Sequence, residues 1–279
     1  MGIRAGLLWP AFIAVASVCA PASAAPLKPV GAWQLDYAEN ECRLIREFGA
    51  DSSKTWLRIA RGARMDKFDL MIGGVSLPPS NRQIDMKIAA LPDGQAVDVT
   101  ATPYTAKVGG ETNNVYHVYT VDNAFLDGLT NTQILGFTTE RGANVELEAT
   151  GIKKALTALS KCHDDLLTTV YKLDLPRLRS YQSLPQPGKG VAAWVTTDDY
   201  PRDALAKKWE GRVSFVISVD EQGKPTGCDV VISSGYAELD QLACRLMTKR
   251  GSFTPAKDAN GQPVAAPWVS AVHWQVPRS

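Results

Sequence analysis

The run Val213-Ser214-Phe215-Val216-Ile217-Ser218-Val219-Asp220 decides the fold of the C-terminal part of this chain. Val213, Phe215, Ile217 and Val219 alternate with Ser214, Val216, Ser218 and Asp220. Successive side chains of a strand point to opposite faces, so the run predicts a half-buried strand. Glu221-Gln222-Gly223-Lys224 then turns the chain, and Cys228, Val230 and Ile232 supply the inward positions of an antiparallel partner. Ser233-Ser234-Gly235 breaks the hairpin. Beyond it, Leu239, Leu242, Ala243, Leu246 and Met247 recur at the i, i+3, i+4, i+7, i+8 spacing of an amphipathic helix. Cys244 flanks that stripe, within reach of Cys228 on the neighbouring strand. Asp258-Ala259-Asn260-Gly261 makes a further turn, and Trp268 to Val276 reads as the last strand. Its Val272, Trp274 and Val276 share one side, with Ala271, His273 and Gln275 on the other. On the upstream side, Asp198-Asp199-Tyr200-Pro201 opens a helix over Arg202 to Trp209 that ends near Gly211. The expectation is a three-stranded antiparallel sheet with two helices packed on one face.

Before this unit, residues 174–193 carry Pro176, Pro185, Pro187, Gly188 and Gly190 among polar residues, the composition of a linker or extended connection. Further upstream, strands are expected at Thr55 to Ala60, Phe68 to Ile72, Ile84 to Ile88, Ala96 to Thr102, Val115 to Val121 and Val145 to Ala149. Turn residues such as Gly73-Gly74, Pro92-Asp93-Gly94 and Gly109-Gly110 punctuate them. A short helix is expected around Asn123 to Leu129, and a longer one over Ile152 to Leu167, whose Ile152, Leu156, Leu159, Leu166 and Leu167 form an apolar stripe. This describes a mostly antiparallel sandwich or open barrel with a C-terminal helix, and an α+β chain overall. The expected division is a signal segment at 1–25, a β-rich domain at 26–173, the linker at 174–193 and the small domain at 194–279.

The signal segment is read from Arg4, an apolar core from Leu7 to Ala20 and the small-x-small run Ala22-Ser23-Ala24. Its core is interrupted by Pro10 and is shorter than the roughly 20 residues that a spanning helix needs. A periplasmic location is expected, with inner-membrane anchoring as the alternative if the segment is not cleaved. Export permits disulfides, and Cys42, Cys162, Cys228 and Cys244 remain after removal of the segment. Four cysteines allow three pairings. Cys42 with Cys162 and Cys228 with Cys244 is favoured, because the Pro/Gly-rich stretch separates the two couples. Zinc is the competing reading, but there is no C-x-x-C and the histidines lie far apart.

The order of elements and the residues at their joints resemble the TonB C-terminal domain. The resemblance is carried by Tyr200-Pro201, Gly211, Val219-Asp220 with Gly223, Ser233-Ser234-Gly235 followed by Leu239-Asp240, Phe253-Thr254-Pro255-Ala256, and Gly261 with Pro263. Cys228 and Cys244 are similar to a disulfide-bearing branch of that family. The resemblance implies strand addition, in which the exposed sheet edge pairs with an extended peptide, the TonB box of an outer-membrane transporter. Trp268, Val269, Ser270, Ala271, Val272, His273, Trp274 and Gln275 would form that edge. Closure of the edge by the upstream domain, or by a second copy in a homodimer, is the alternative. The family's transducers carry a membrane helix and a Pro-rich spacer, whereas this chain has a signal-like segment and a β-rich domain in their places. Thr196-Thr197-Asp198-Asp199 also stands where a glutamine-rich run is associated with box recognition. Transport energisation by this chain alone is therefore not expected. The N-terminal half resembles no family that can be named.

Chemistry is hard to find in the sequence. There is no G-x-S-x-G, H-E-x-x-H or P-loop. His117, His163 and His273 lie apart, and the consecutive residues His163-Asp164-Asp165 on a helix cannot converge on one ion. With 30 Lys and Arg against 29 Asp and Glu, the net charge of +1 does not draw the chain to nucleic acid. The chain reads as a binding protein with no catalytic, cofactor or metal residues. Its expected partner is an outer-membrane TonB-dependent transporter or another periplasmic protein, and an envelope structural or assembly role is the alternative.

Overall fold

The computed structural model of the protein describes residues 25–92, 94–188 and 190–276, so the expected signal segment lies, but for Ala25, outside the described residues. The N-terminal part is built from β1 (Pro29–Tyr37), β2 (Cys42–Phe48), β3 (Thr55–Arg61), β4 (Lys67–Gly74), β5 (Ile84–Leu91), β6 (Ala96–Val108) and β7 (Glu111–Asp122). Helix α1 (Asn123–Gly128), β8 (Ile134–Thr139), β9 (Asn144–Glu148) and α2 (Ile152–Thr169) follow.

All neighbouring strands are antiparallel, in the order β1-β2-β3-β4-β7-β6-β5-β8-β9. β6 joins the two halves of this sheet, because its Ala96–Ala101 segment pairs with β5 and its Thr102–Val108 segment with β7. Leu27, just before β1, bridges Leu147 of β9 in parallel. Its N–H donates to the Glu146 carbonyl at 2.7 Å, and Glu148 N–H donates back to Leu27 O at 3.0 Å. The sheet thus meets itself at Leu27 and curls into a barrel, although β1 beyond that point has no outer strand partner among the described residues.

Three barrel strands absent from the sequence reading are β1, β2 and β8. In β2 the period-2 signal is masked because Arg46 occupies an inward position beside Leu44 and Phe48. That buried guanidinium donates to the carbonyls of Gly31 and Thr150 and lies over the Trp33 ring. A cation there is tolerated because its N–H groups are satisfied by backbone. Helix α2 lays Ile152, Leu156, Leu159 and Leu166 into the barrel core, and Cys162 on the same helix is bonded to Cys42 at the start of β2.

The connection contains α3 (Leu175–Arg179), started by Asp174, which accepts a hydrogen bond from Arg177 N. Leu175 and Leu178 of α3 join the barrel core. Next come β10 (Gln186–Pro187), α4 (Arg202–Ala206), β11 (Gly211–Val219), β12 (Pro225–Ile232), α5 (Ala237–Arg250), β13 (Phe253–Thr254), β14 (Ala256–Lys257), β15 (Pro263–Val264) and β16 (Ala266–Trp274). β10 pairs with β13, and Ser183 bridges Lys257, so residues 174–193 are stitched at both ends to folded structure.

β12, β11 and β16 form a three-stranded antiparallel sheet with β11 in the middle. One face of it, with Val213, Phe215, Ile217, Val272 and Trp274, packs on α4 and α5 through Ala204, Leu239, Ala243 and Met247. The other face packs on the barrel, with Val216 and Val269 in one cluster with α2 and α3. Along the middle of β11, at Ser214 and Val216, the alternation therefore separates two packed layers, while Arg212 and Ser218 on the same side remain exposed.

Two details depart from the sequence reading. α4 stops at Ala206 instead of reaching Trp209, because Lys208 takes a positive φ of 53° and turns the chain. In β12, Phe215 faces Val230 but Ser214 faces Ile232, so Val231 is an extra residue. That bulge reverses the side-chain phase. Ile232 consequently packs toward the barrel, whereas Val230 keeps the helix-side phase opposite Phe215 and is 41% exposed on this edge strand.

Candidate functional site

The outer edge of β16 is the candidate site for a ligand. β16 ends the sheet order, and no backbone hydrogen bond among the described residues reaches it from the outer side. Trp268 to Trp274 all lie within β16, and Gln275 follows it directly. A groove of about 360 Å³ runs along Trp268 to Gln275, its opposite wall formed by Val191, Val195, Thr196 and Tyr200. A second groove, of about 300 Å³, borders Ser270, Ala271 and His273 from the barrel side, against Gly62 to Lys67. The barrel covers a face of the sheet and leaves this rim between two clefts.

The wall of the first groove is positioned by side chains far apart in sequence. Arg250, at the end of α5, donates to both carboxylate oxygens of Asp199 at 2.6 and 2.7 Å, and to the Trp194 carbonyl at 3.0 Å. The Arg250 hydrogen bonds hold the Asp199 carboxyl well below the usual carboxylate range. Asp199 also accepts from the N–H and hydroxyl of Thr196, closing the turn. Beneath it, the Trp194, Phe253 and Trp268 rings meet edge to face at 5.0 to 6.2 Å. Tyr200 packs edge-on to Trp274 at 5.2 Å and donates its hydroxyl hydrogen to Trp209 O. Edge-to-face packing of this kind fixes ring orientation as well as burying area. Sequence reasoning found β16 but not this wall, because Asp199 and Arg250 carry no local signal of pairing.

The joint residues quoted from the sequence have structural jobs. Asp240, 7% exposed, accepts from Ser233 Oγ at 2.5 Å, Ser234 Oγ at 2.6 Å and Ser234 N–H at 2.8 Å, which ties the end of β12 to the first turn of α5. Gly223 turns at a φ of 77°, and a Cβ there would stand 1.9 Å from Phe253 O. Cys228 of β12 is bonded to Cys244 of α5, so a helix is fastened across the sheet's other edge strand.

The histidines do not assemble a reaction centre. His163 is buried and shares a 2.9 Å hydrogen bond with Gly62 O, and burial, then the neighbouring Arg61, lowers its pKa to about 4. His117 lies on the barrel with Nε2 3.7 Å from Asp69. His273 faces the barrel-side groove, its pKa lowered by burial and by Arg212. Among the described residues no group of histidine, cysteine and carboxylate side chains could hold a metal, and no helix is long and apolar enough to cross a membrane.

A family model described as Gram-negative bacterial TonB protein C-terminal matches residues 196–276. Over 72 residues the chain is 40% identical to the Pseudomonas aeruginosa protein named Protein tonB2, a match covering 26% of this chain and 26% of that protein. The chain thus spans about a quarter of the relative's length. With β16 and most of its groove inside the matched range, residues 196–276 are a TonB C-terminal domain.

Proposed function

We propose that this protein is a periplasmic peptide-binding protein linked to TonB-dependent outer-membrane transport. In this reading, an extended segment of an outer-membrane transporter, or of another envelope protein, adds to the sheet alongside β16 and is held without being turned over. The supporting observation is the unpaired outer rim of β16, with a cleft on either side along its length. Such a rim offers a row of N–H and C=O groups whose pairing gives affinity, while alternate side chains of the guest give selectivity. The TonB C-terminal match is the second support, since the family's known mode is this one. The reading assigns residues 26–173 and the connection at 174–193 a supporting role around the domain at 194–279, and it requires no force transmission by this chain.

Isothermal titration of residues 25–279, oxidised, with TonB-box-like peptides and their scrambled counterparts tests this. Saturable one-to-one binding of the ordered peptides is expected, and no heat from any of them would refute it. Envelope assembly through a second copy is the alternative use of the same rim. It predicts a mass by light scattering that rises with concentration, and a strictly constant monomer mass would count against it.

A further inference from the structure

An added strand would point its side chains alternately into the two clefts, because successive residues of a strand face opposite ways. The clefts differ in character. On the helix side the guest would meet Val195, Tyr200, Met247 and Trp268, which are apolar or aromatic. On the barrel side it would meet Arg64, Lys67, Arg212 and His273, with Glu41 and Asp69.

Most of the charges on the barrel side are already matched within the protein. Glu41 is paired with Arg43 and Arg58, Lys67 with Asp122, Arg64 with Asp66, and Asp69 lies beside His117. Arg212 is the exception: it is exposed, and its guanidinium makes no ion pair or side-chain hydrogen bond among the described residues. It sits on β11 opposite His273 of β16, and its Nη2 lies 3.9 Å from where a Cβ on Gly62 would stand. An added strand would run two strand spacings, about 10 Å, from β11, within the combined reach of an arginine and a glutamate.

We infer that the barrel completes the strand-addition site and that Arg212 selects a carboxylate there, so the preferred guest is an extended peptide alternating apolar and acidic residues. This rests on the strand-addition reading and adds to it the chemistry of the guest and a role for the N-terminal barrel. A guanidinium without an acid of its own gains a charge-assisted hydrogen bond on binding, while the apolar half of the guest fills the aromatic cleft.

The test uses residues 25–279 and two strand-length peptides, one alternating valine with glutamate and one alternating valine with glutamine. The glutamate peptide is expected to bind about tenfold more tightly, and Arg212→Gln is expected to abolish that preference. On the unsubstituted protein, NMR gives an independent readout. The Arg212 Nε–Hε signal and the amides of Gly62 to Lys67 should move with the glutamate peptide and not with the glutamine one. Equal affinities, or a preference that survives Arg212→Gln, would overturn the inference. So would β16 amides that shift while Arg212 and Gly62 to Lys67 stay still, an outcome that leaves strand addition standing. If neither peptide binds, this inference fails, and strand addition fails with it only if TonB-box-like peptides also give no heat.

Discussion

At the scale of the single side chain, His163 ties α2 to the β3–β4 connection that forms the barrel-side wall of the site. Its pKa is lowered from 6.5 to about 4, first by desolvation and then by Arg61. The unfolded chain therefore takes up a proton on this residue at a higher pH than the folded protein does. Stability falls as pH drops from about 6.5 to about 4, by on the order of 3 kcal/mol, and this contribution is flat below that window. Urea unfolding at neutral pH and near pH 4.5 should show the loss, and His163→Gln should flatten that part of the profile; an unaltered profile would show that the proton is taken up elsewhere. Asp240 is the second such residue. Replacing it by alanine strands two serine hydroxyls and a backbone N–H, so Asp240→Ala should cost about 2–3 kcal/mol in chemical unfolding. A loss within experimental error would mean that water replaces the carboxylate. The sequence showed Ser233-Ser234-Gly235 and Asp240 as a motif, but not that one carboxylate gathers three donors across the strand-to-helix joint.

At the scale of the element, what could be read depended on whether the apolar period ran unbroken along it. β11 and α5 stood out because each shows a regular period, 2 or 3.6, to an apolar core. β2 did not, since Arg46 sits where an apolar residue would keep the count. β12 was found with the wrong phase at Ile232, because a bulge leaves no composition signal at Val231. The β16 strand was legible and the facing wall was not, because that wall depends on Asp199 and Arg250, 51 residues apart. The clamp should matter to binding more than to folding. Arg250→Ala frees the turn at Thr196 to Asp199, and it should weaken peptide binding several-fold while leaving the circular dichroism spectrum unchanged. An undiminished affinity would show that the aromatic contacts of Trp194 alone hold the wall. Acid alone should not open the clamp until well below the ordinary carboxylate range. A depressed folded pKa keeps the ion pair's contribution present above the unfolded value and loses it only as pH falls through the folded one.

At the scale of the whole molecule, the two disulfides fasten different things. Cys42–Cys162 spans 120 residues and ties the barrel's second strand to the helix that closes its core, whereas Cys228–Cys244 spans 16 and holds α5 on β12. In the chain-entropy picture the longer loop is worth about 4–5 kcal/mol and the shorter about 3 kcal/mol. Cys42→Ser with Cys162→Ser should therefore lower the urea midpoint more than Cys228→Ser with Cys244→Ser, and the reverse order would indicate that strain or residual denatured structure outweighs loop length. Closure of the barrel through Leu27 and Leu147, and the seating of Val216 and Val269 on the barrel side, were out of reach of the sequence. Both depend on which strands meet, and local periodicity carries no such information.

Whether the rim of β16 accepts an extended peptide as a further strand is decided by amide NMR of residues 25–279 during titration with a TonB-box-like peptide. Strand addition should give chemical-shift changes and new exchange protection concentrated on Ala266 to Trp274, with smaller changes along Val191 to Tyr200. Amides of β16 already protected in the free protein and unmoved by the peptide, or changes confined to β12, would contradict it.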